Sequence, residues 1–249
     1  MTVLAKLRLC LGAAVLAPLL VSNIVLVFLP YAILCLLGGK RAAVWWRDHW
    51  LRFMSNAFFV CLGVSYHTTG KENLPSRDRI CYIANHQSLL DLPAIFAAVR
   101  HEPGSITKVE IKKVPVINLW CKVLGCVYID RKSVRSSIKA ILDGVANVEK
   151  GIPMLIFPEG TRSRTGKVAE FKAGSFKLAT RSNAVVVPIA IEGTRTSLES
   201  RRKWHTHVYV SIGKPIDTSS MTDEQRKEIH SLVQDEVIAE HDKLVKLHG

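Results

Sequence analysis

The chain has 249 residues, 48% of them hydrophobic and 22% charged, which is the length of one domain or one domain with an appendage. An ordinary apolar fraction and only 15 glycines exclude disorder and collagen-like repetition, while six scattered cysteines without a CxxC pair argue against a zinc cluster or a disulfide framework and suit a reducing compartment. With 34 Lys+Arg against 21 Asp+Glu the net charge is +13, concentrated as +16 over residues 1–213, and it calls for an anionic partner: nucleic acid, acidic lipid, a phosphorylated substrate or an acidic carrier protein.

Leu9 to Gly39 carry no charge over 31 residues. A bilayer span needs about 20 apolar residues, so the run is long for one span and short for two with a turn. Pro18 and Pro30 each remove a backbone donor and work against one straight helix. Lys6 and Arg8 stand before the run and Lys40, Arg41, Arg47 and Arg52 after it; positive charge on both sides suits a hairpin that returns to the surface it entered, with a single tilted span as the alternative. The run exceeds a signal-peptide apolar core and lacks an A-x-A cleavage site. Residues 44–60 interleave Trp45, Trp46, Trp50 and Phe53 with Arg47, Asp48 and Arg52, the pattern of an interfacial helix or of a core-packing amphipathic one.

From about Val64 the pattern changes to short apolar runs that read as buried strands: Ile80–Ala84, Ile106–Ile111, Cys126–Ile129, Pro153–Phe157, Val185–Ile191 and His207–Ile212. Helical stretches at Leu89–Val99, Val114–Val123 and Val134–Val148 fall between several of them, and Thr222–Leu247 shows apolar residues at 3–4 spacing. The expected fold is α/β, a largely parallel central sheet flanked by helices, behind an N-terminal membrane-embedded helical hairpin. The expected division is residues 1–60 as the anchor and 61–249 as the α/β domain.

In such sheets ligands bind beyond the carboxyl ends of strands. Three polar segments fall there. Asn85-His86-Gln87-Ser88-Leu89-Leu90-Asp91 leaves the strand CYIA. His86 and Asp91 are about 140° apart on a straight helix; they meet only if His86 sits in the strand-to-helix turn and Asp91 at the helix start, where the carboxylate can fix the imidazole tautomer and leave the other nitrogen as a base. Helix capping by Asn85 or Ser88 accounts for the same residues without chemistry. There is no G-x-S-x-G elbow, which argues against a nucleophilic Ser88. The strand ending at Ile129 delivers Asp130 and Arg131, and the strand ending near Phe157 delivers Pro158-Glu159-Gly160-Thr161-Arg162-Ser163-Arg164. Gly160 permits close backbone approach, and Arg131 and Arg162 could clamp a phosphate; a solvated basic loop is the plainer account of the last segment alone.

In this order, the segments resemble the 1-acyl-sn-glycerol-3-phosphate (lysophosphatidate) acyltransferase family of glycerolipid acyltransferases, over about Val64 to Ile216. Asn85 to Asp91 is similar to its NHxxxxD signature, Gly125 to Arg131 to its second block, Phe157 to Ser163 to its FPEGTRS block, and Val187-Pro188-Ile189 to its short fourth. The resemblance implies transfer of a fatty acyl group from an acyl-CoA or acyl-carrier-protein thioester to the 2-hydroxyl of lysophosphatidate, giving phosphatidate at a membrane. It implies His86 as general base, Asp91 as its orienting partner, and Glu159, Gly160, Thr161 and Arg162 in binding the phosphorylated acceptor, assisted by Arg131 and the paired Lys112 and Lys113. No metal or resident cofactor is expected, because a thioester is already activated. The expected partners are the phospholipid bilayer, lysophosphatidate and the thioester donor, with the catalytic domain on the cytoplasmic face. Nucleic acid is not expected: the aromatics cluster in the N-terminal apolar zone and not among the central basic residues. Another lysolipid acceptor, or a non-catalytic protein that binds anionic lipid, are the alternatives.

Overall fold

In the computed structural model the uncharged run is helical as far as Leu36. Helix α1 (Val3–Asn23), a π turn over Ile24–Phe28 and helix α2 (Leu29–Leu36) follow without a break. The structure describes residues 3–76, 78–130, 132–200 and 203–248. Pro30 lacks the N–H of a regular helical turn; the wider π turn lies immediately before it, so the helix absorbs the proline instead of breaking. Thirty-four residues with a mean hydropathy of 2.5 in the most apolar window make this helix long and apolar enough to cross a bilayer, and only 19% of that window is buried. A helical hairpin forms, with its turn past Leu36: Gly39 N–H donates to Leu34 O at 2.8 Å, and α3 (Lys40–Leu62) packs back along α1 and α2.

The chain divides into two compact units. The first comprises Met1–His67, Leu89–Glu102 and Gly193–Val208. Polar pairs pin its apolar helices together. Buried Asn23 accepts from Trp50 Nε1 at 3.1 Å, and Arg8 Nη2 donates to Val60 O at 2.8 Å, satisfying a carbonyl in the last turn of α3. Of the aromatic residues expected at an interface, Trp45 and Phe53 are exposed, whereas Trp46 and Trp50 are half-buried and stacked on each other. Arg47 and Asp48 are buried as a 2.6 Å ion pair. Strand β1 (Val64–Thr69) starts in this unit, and α4 (Asp91–Ala98) packs on α3.

Glu102, just past α4, is buried and receives Arg52 Nη2 at 3.1 Å. Among the described residues its second oxygen, Oε2, receives no donor, and Asp48 lies beside it. Burial first, then the Asp48 charge, push the Glu102 carboxyl up to about 9, so it holds a proton at neutral pH that it can give to Asp48. The native state then carries a proton that the unfolded chain releases near pH 4.5. The stabilising contribution is complete below that value and declines as pH rises towards about 9. Glu102→Gln should flatten this slope, on the order of 1 kcal/mol per pH unit. Denaturation midpoints from pH 5 to 9 check it; an unchanged slope contradicts the buried carboxyl pair.

The second unit comprises Thr68–Ser88, Pro103–Glu192 and Tyr209–Gly249. Its strands are β2 (Ile80–Ala84), β3 (Gly104–Lys108), β4 (Val127–Ile129), β5 (Met154–Ile156) and β6 (Val185–Glu192), followed by β7 (Thr206–Ile212), which enters from the first unit, and β8 (Ile216–Asp217). From one side the order runs β4-β3-β5-β2-β6-β7. The pairs β3–β4, β3–β5, β2–β5 and β2–β6 are parallel; β7 and β8 run antiparallel to β6. Continuous burial along ICYIA in β2 and along Val185–Ile191 in β6 is what a parallel strand covered on both faces requires.

Crossover helices α5 (Pro115–Leu124) and α6 (Val134–Glu149) return the chain between strands. Pro115 opens α5, and Gly125, at φ +74°, closes it. Ser133 caps α6 by accepting from Ser136 N–H. Short helices α7 (Lys177–Arg181) and, in the first unit, α8 (Thr194–Ser197) lie outside the periodic pattern of the sequence. The acidic C-terminal helix α9 (Asp223–His248) begins at a Thr222/Gln225 capping box and packs on β6 through Ile229, Val233 and Val237.

One strand expectation is corrected. Ile106–Ile111 is not a single strand, because pairing ends at Lys108 and Val109–Lys113 tighten into a 3-10 turn that leaves Val109, Lys112 and Lys113 exposed. Pairing instead starts earlier, at Gly104, where a side chain would meet the Leu124 and Gly125 carbonyls at 2.7 Å.

Candidate active site

Because β6, β2, β5, β3 and β4 are mutually parallel, their carboxyl ends share one edge of the sheet. The loops that follow β2, β5, β3 and β4 carry His86, Glu159 to Arg164, Lys112 and Lys113, and Asp130. Topology alone thus gathers segments scattered over 80 positions of the sequence.

The loop after β2 is tied down on both sides. Asn85, fully buried, acts as a surrogate peptide: its Oδ1 accepts from Ile191 N–H at 2.8 Å and its Nδ2 donates to Ile191 O at 2.9 Å. His86 follows, half-buried. Its N–H donates to Glu159 Oε1 at 2.7 Å and its carbonyl accepts from Ser163 N–H at 2.7 Å, so the backbone of this one residue is clasped by the loop after β5. Its ring stacks on Phe157 with centroids 4.1 Å apart and planes 18° apart. The next side chain, Gln87, is buried and donates to Glu192 Oε2 and to Gly166 O, each at 3.0 Å.

The loop after β5 turns at Pro158–Gly160, where Gly160 N–H donates to Phe157 O at 3.0 Å and Gly160 takes φ +72°. A Cβ there would lie 2.9 Å from Lys172 Nζ. Glu159 is 5% exposed; besides His86 N–H it accepts Ala169 N–H at 3.2 Å. Two backbone donors on one buried carboxylate make Glu159 a brace between two stretches of chain. Thr161 and Arg162 are exposed at the surface of the turn.

Lys112 and Lys113 are exposed in the 3-10 turn after β3, and Lys112 Nζ stands 4.7 Å from the centroid of the Tyr128 ring. Tyr128 OH donates to Asn118 Oδ1 at 2.5 Å. Asp130 Oδ1 accepts from Lys132 N–H at 2.9 Å. Arg131 lies outside the described residues.

Asp91 belongs to the first unit and His86 to the second. Asp91 is fully buried at the first position of α4, and its Oδ1 accepts from Thr194 Oγ1 at 2.6 Å. Thr194, Glu192 and His241 carry no signal in the sequence, and Gln87 stands out there only as a member of its polar segment. No local periodicity marks them, and their partners are between 49 and 154 positions away.

Comparison with known proteins places this arrangement. The family model described as Acyltransferase matches residues 65–192. The 1-acyl-sn-glycerol-3-phosphate acyltransferase of Saccharomyces cerevisiae is 32% identical over 215 residues, covering 83% of this chain and 69% of that protein. Its counterpart in Borreliella burgdorferi is 27% identical over 179 residues, 71% of each chain. The crystal structure of the 1-acyl-sn-glycerophosphate (LPA) acyltransferase PlsC from Thermotoga maritima aligns with a TM-score of 0.80 at 27% identity, over 96% of this chain and 97% of that one. The four sequence blocks, the parallel sheet that aligns their loops and the family match over more than half of the residues agree: the chain belongs to the acyltransferase family.

Proposed function

We propose that this acyltransferase moves a fatty acyl group from an acyl-CoA or acyl-carrier-protein thioester to the 2-hydroxyl of 1-acyl-sn-glycerol 3-phosphate, forming phosphatidate and a free thiol. The observation that carries the reading is the clasp between two loops: His86 N–H on Glu159, and Ser163 N–H on His86 O. It joins a base to a loop whose surroundings, residues 157–181, hold six Lys+Arg against two acidic residues. The names of the relatives supply the substrate class.

In the reaction one imidazole nitrogen of His86 takes the hydroxyl proton as the alcohol oxygen attacks the thioester carbonyl. The tetrahedral intermediate collapses, the C–S bond breaks, and the imidazolium returns the proton to the departing sulfur. The resemblance of Asn85–Asp91 to the family signature gives Asp91 the part of orienting partner to that imidazole. The thioester is already activated, so the chemistry runs without a resident cofactor or metal, on proximity and base catalysis. Arg162, with Arg131, Lys112 and Lys113, neutralises the acceptor phosphate, for which a guanidinium is the best-shaped ligand, and the Thr161 hydroxyl donates to it. Glu159 and the Gly160 turn serve that subsite indirectly: the carboxylate braces the His86 backbone, and the glycine keeps the turn open beside Lys172.

Residues 1–60 anchor the enzyme in the bilayer and 61–249 form the catalytic domain on its cytoplasmic face. Support comes from the exposed apolar helix Val3–Leu36 and the exposed Trp45 and Phe53 on α3.

The test is an acceptor panel. Detergent-solubilised protein is given a thioester donor with lysophosphatidate, lysophosphatidylcholine or glycerol 3-phosphate, and products are identified by mass. Phosphatidate from lysophosphatidate should dominate; equal acylation of lysophosphatidylcholine, or no transfer to any acceptor, contradicts the reading.

A further inference from the structure

The C-terminal helix reaches the loop that carries His86 through a buried histidine. His241, 5% exposed, places Nε2 2.8 Å from Glu192 Oε2 and 2.9 Å from Gln87 Nε2. The amide nitrogen of Gln87 has two hydrogens, and it lies 3.0 Å from both Glu192 Oε2 and Gly166 O. Turning the amide over would set its oxygen against those two acceptors, so the nitrogen faces them and both hydrogens are spent. His241 Nε2 therefore carries its own hydrogen and donates it to Glu192. One carboxylate oxygen receives His241 and Gln87 together, and Gln87 links the residue after His86 to Gly166 in the loop after β5.

A second contact comes from the same helix face. Gln234, two turns before His241, accepts Phe171 N–H at 2.7 Å at the far end of that loop.

We propose that His241 is a positioning residue for acyl transfer: by fixing Glu192 it holds Gln87, and through Gln87 it holds the loop that presents His86. The inference rests on the reading of His86 as the base. Displacing a reacting group by an ångström costs about a hundredfold in rate. His241→Leu should therefore lower kcat roughly tenfold to a hundredfold, with the KM for lysophosphatidate within about twofold, because no group that touches the acceptor is removed.

His241→Gln sets an amide N–H near the position of Nε2 and should recover most of the lost kcat, which a purely packing role would not produce. Gln87→Leu should reproduce the defect, and the double variant H241L/Q87L should be no slower than the worse single one, since both cut the same chain of contacts. Thermal midpoints of all variants are read alongside, and if His241→Leu fails to fold, Glu192→Gln with Gln87→Leu carries the comparison. Wild-type kcat in His241→Leu, equal losses in His241→Leu and His241→Gln, or multiplying penalties in the double variant overturn the proposal. His86→Ala is assayed in parallel: activity there defeats the base assignment itself, whereas an inactive His86→Ala beside a fully active His241→Leu defeats only the role of His241.

Discussion

His86→Ala is expected to lower kcat by about 10² to 10⁴-fold, the usual worth of a general base, while the protein still folds. The side chain is half-buried and its ring stacks on Phe157, a contact that the alanine gives up. The backbone contacts that clasp the loop, His86 N–H to Glu159 and Ser163 N–H to His86 O, persist in the alanine variant. Steady-state rates at saturating lysophosphatidate and a thermal melt, measured on the same preparation, separate chemistry from folding. A variant within tenfold of the parent rate would remove His86 from the mechanism.

Asn85→Ala is expected to act on stability first. The side-chain amide occupies both the N–H and the carbonyl of Ile191 inside the sheet. Truncation strands two buried backbone groups at about 1–3 kcal/mol each. The predicted loss is about 2–5 kcal/mol, a fall in Tm of roughly 5–15 °C for a chain of this size. Asn85→Asp should fail to rescue, because a carboxylate keeps the acceptor for Ile191 N–H but turns a second acceptor towards Ile191 O. Denaturant unfolding in detergent checks both; a loss under about 0.5 kcal/mol would show that water replaces the amide.

Both predictions turn on neighbours that differ in how visible they are in sequence. Strands buried on both faces announce themselves as unbroken apolar runs, which is why Ile80–Ala84 coincides with β2 and Val185–Ile191 with nearly all of β6. The crossover helices were legible as the stretches Val114–Val123 and Val134–Val148 between strands, and Pro115 and Ser133 at their starts and Gly125 at the end of α5 bound them in the fold. Apolarity misleads where burial does not follow it, as at Val109 and Ile111 in the 3-10 turn. The two prolines of the N-terminal run pointed to a break, but a π turn absorbs Pro30 and the helix continues, so the hairpin turn falls at Leu37–Gly39. Residues 44–60 fitted an interfacial or a core-packing helix, and Arg47 and Asp48 within them pair in a buried position.

The candidate site divides in the same way. Its polar blocks were visible because each directly follows an apolar strand, and the parallel order of those strands does the rest. The braces were not visible: Asn85 on Ile191, Thr194 on Asp91 and His241 on Glu192 are hydrogen bonds between residues that only the folded chain brings together. The resemblance implies Glu159 in binding the phosphorylated acceptor; the two backbone donors on its carboxylate, which tie the loop after β5 to His86, carry no mark in the sequence.

Direct transfer to the lipid alcohol is the centre of the account, and stoichiometry tests it most directly. The enzyme is mixed with a labelled thioester, first alone and then with lysophosphatidate, while thiol release and lipid product are followed together. The account predicts no thiol release and no labelled protein without acceptor, and one phosphatidate per thiol once lysophosphatidate is added. A burst of thiol with label retained on the protein, or thiol released without phosphatidate, would contradict it.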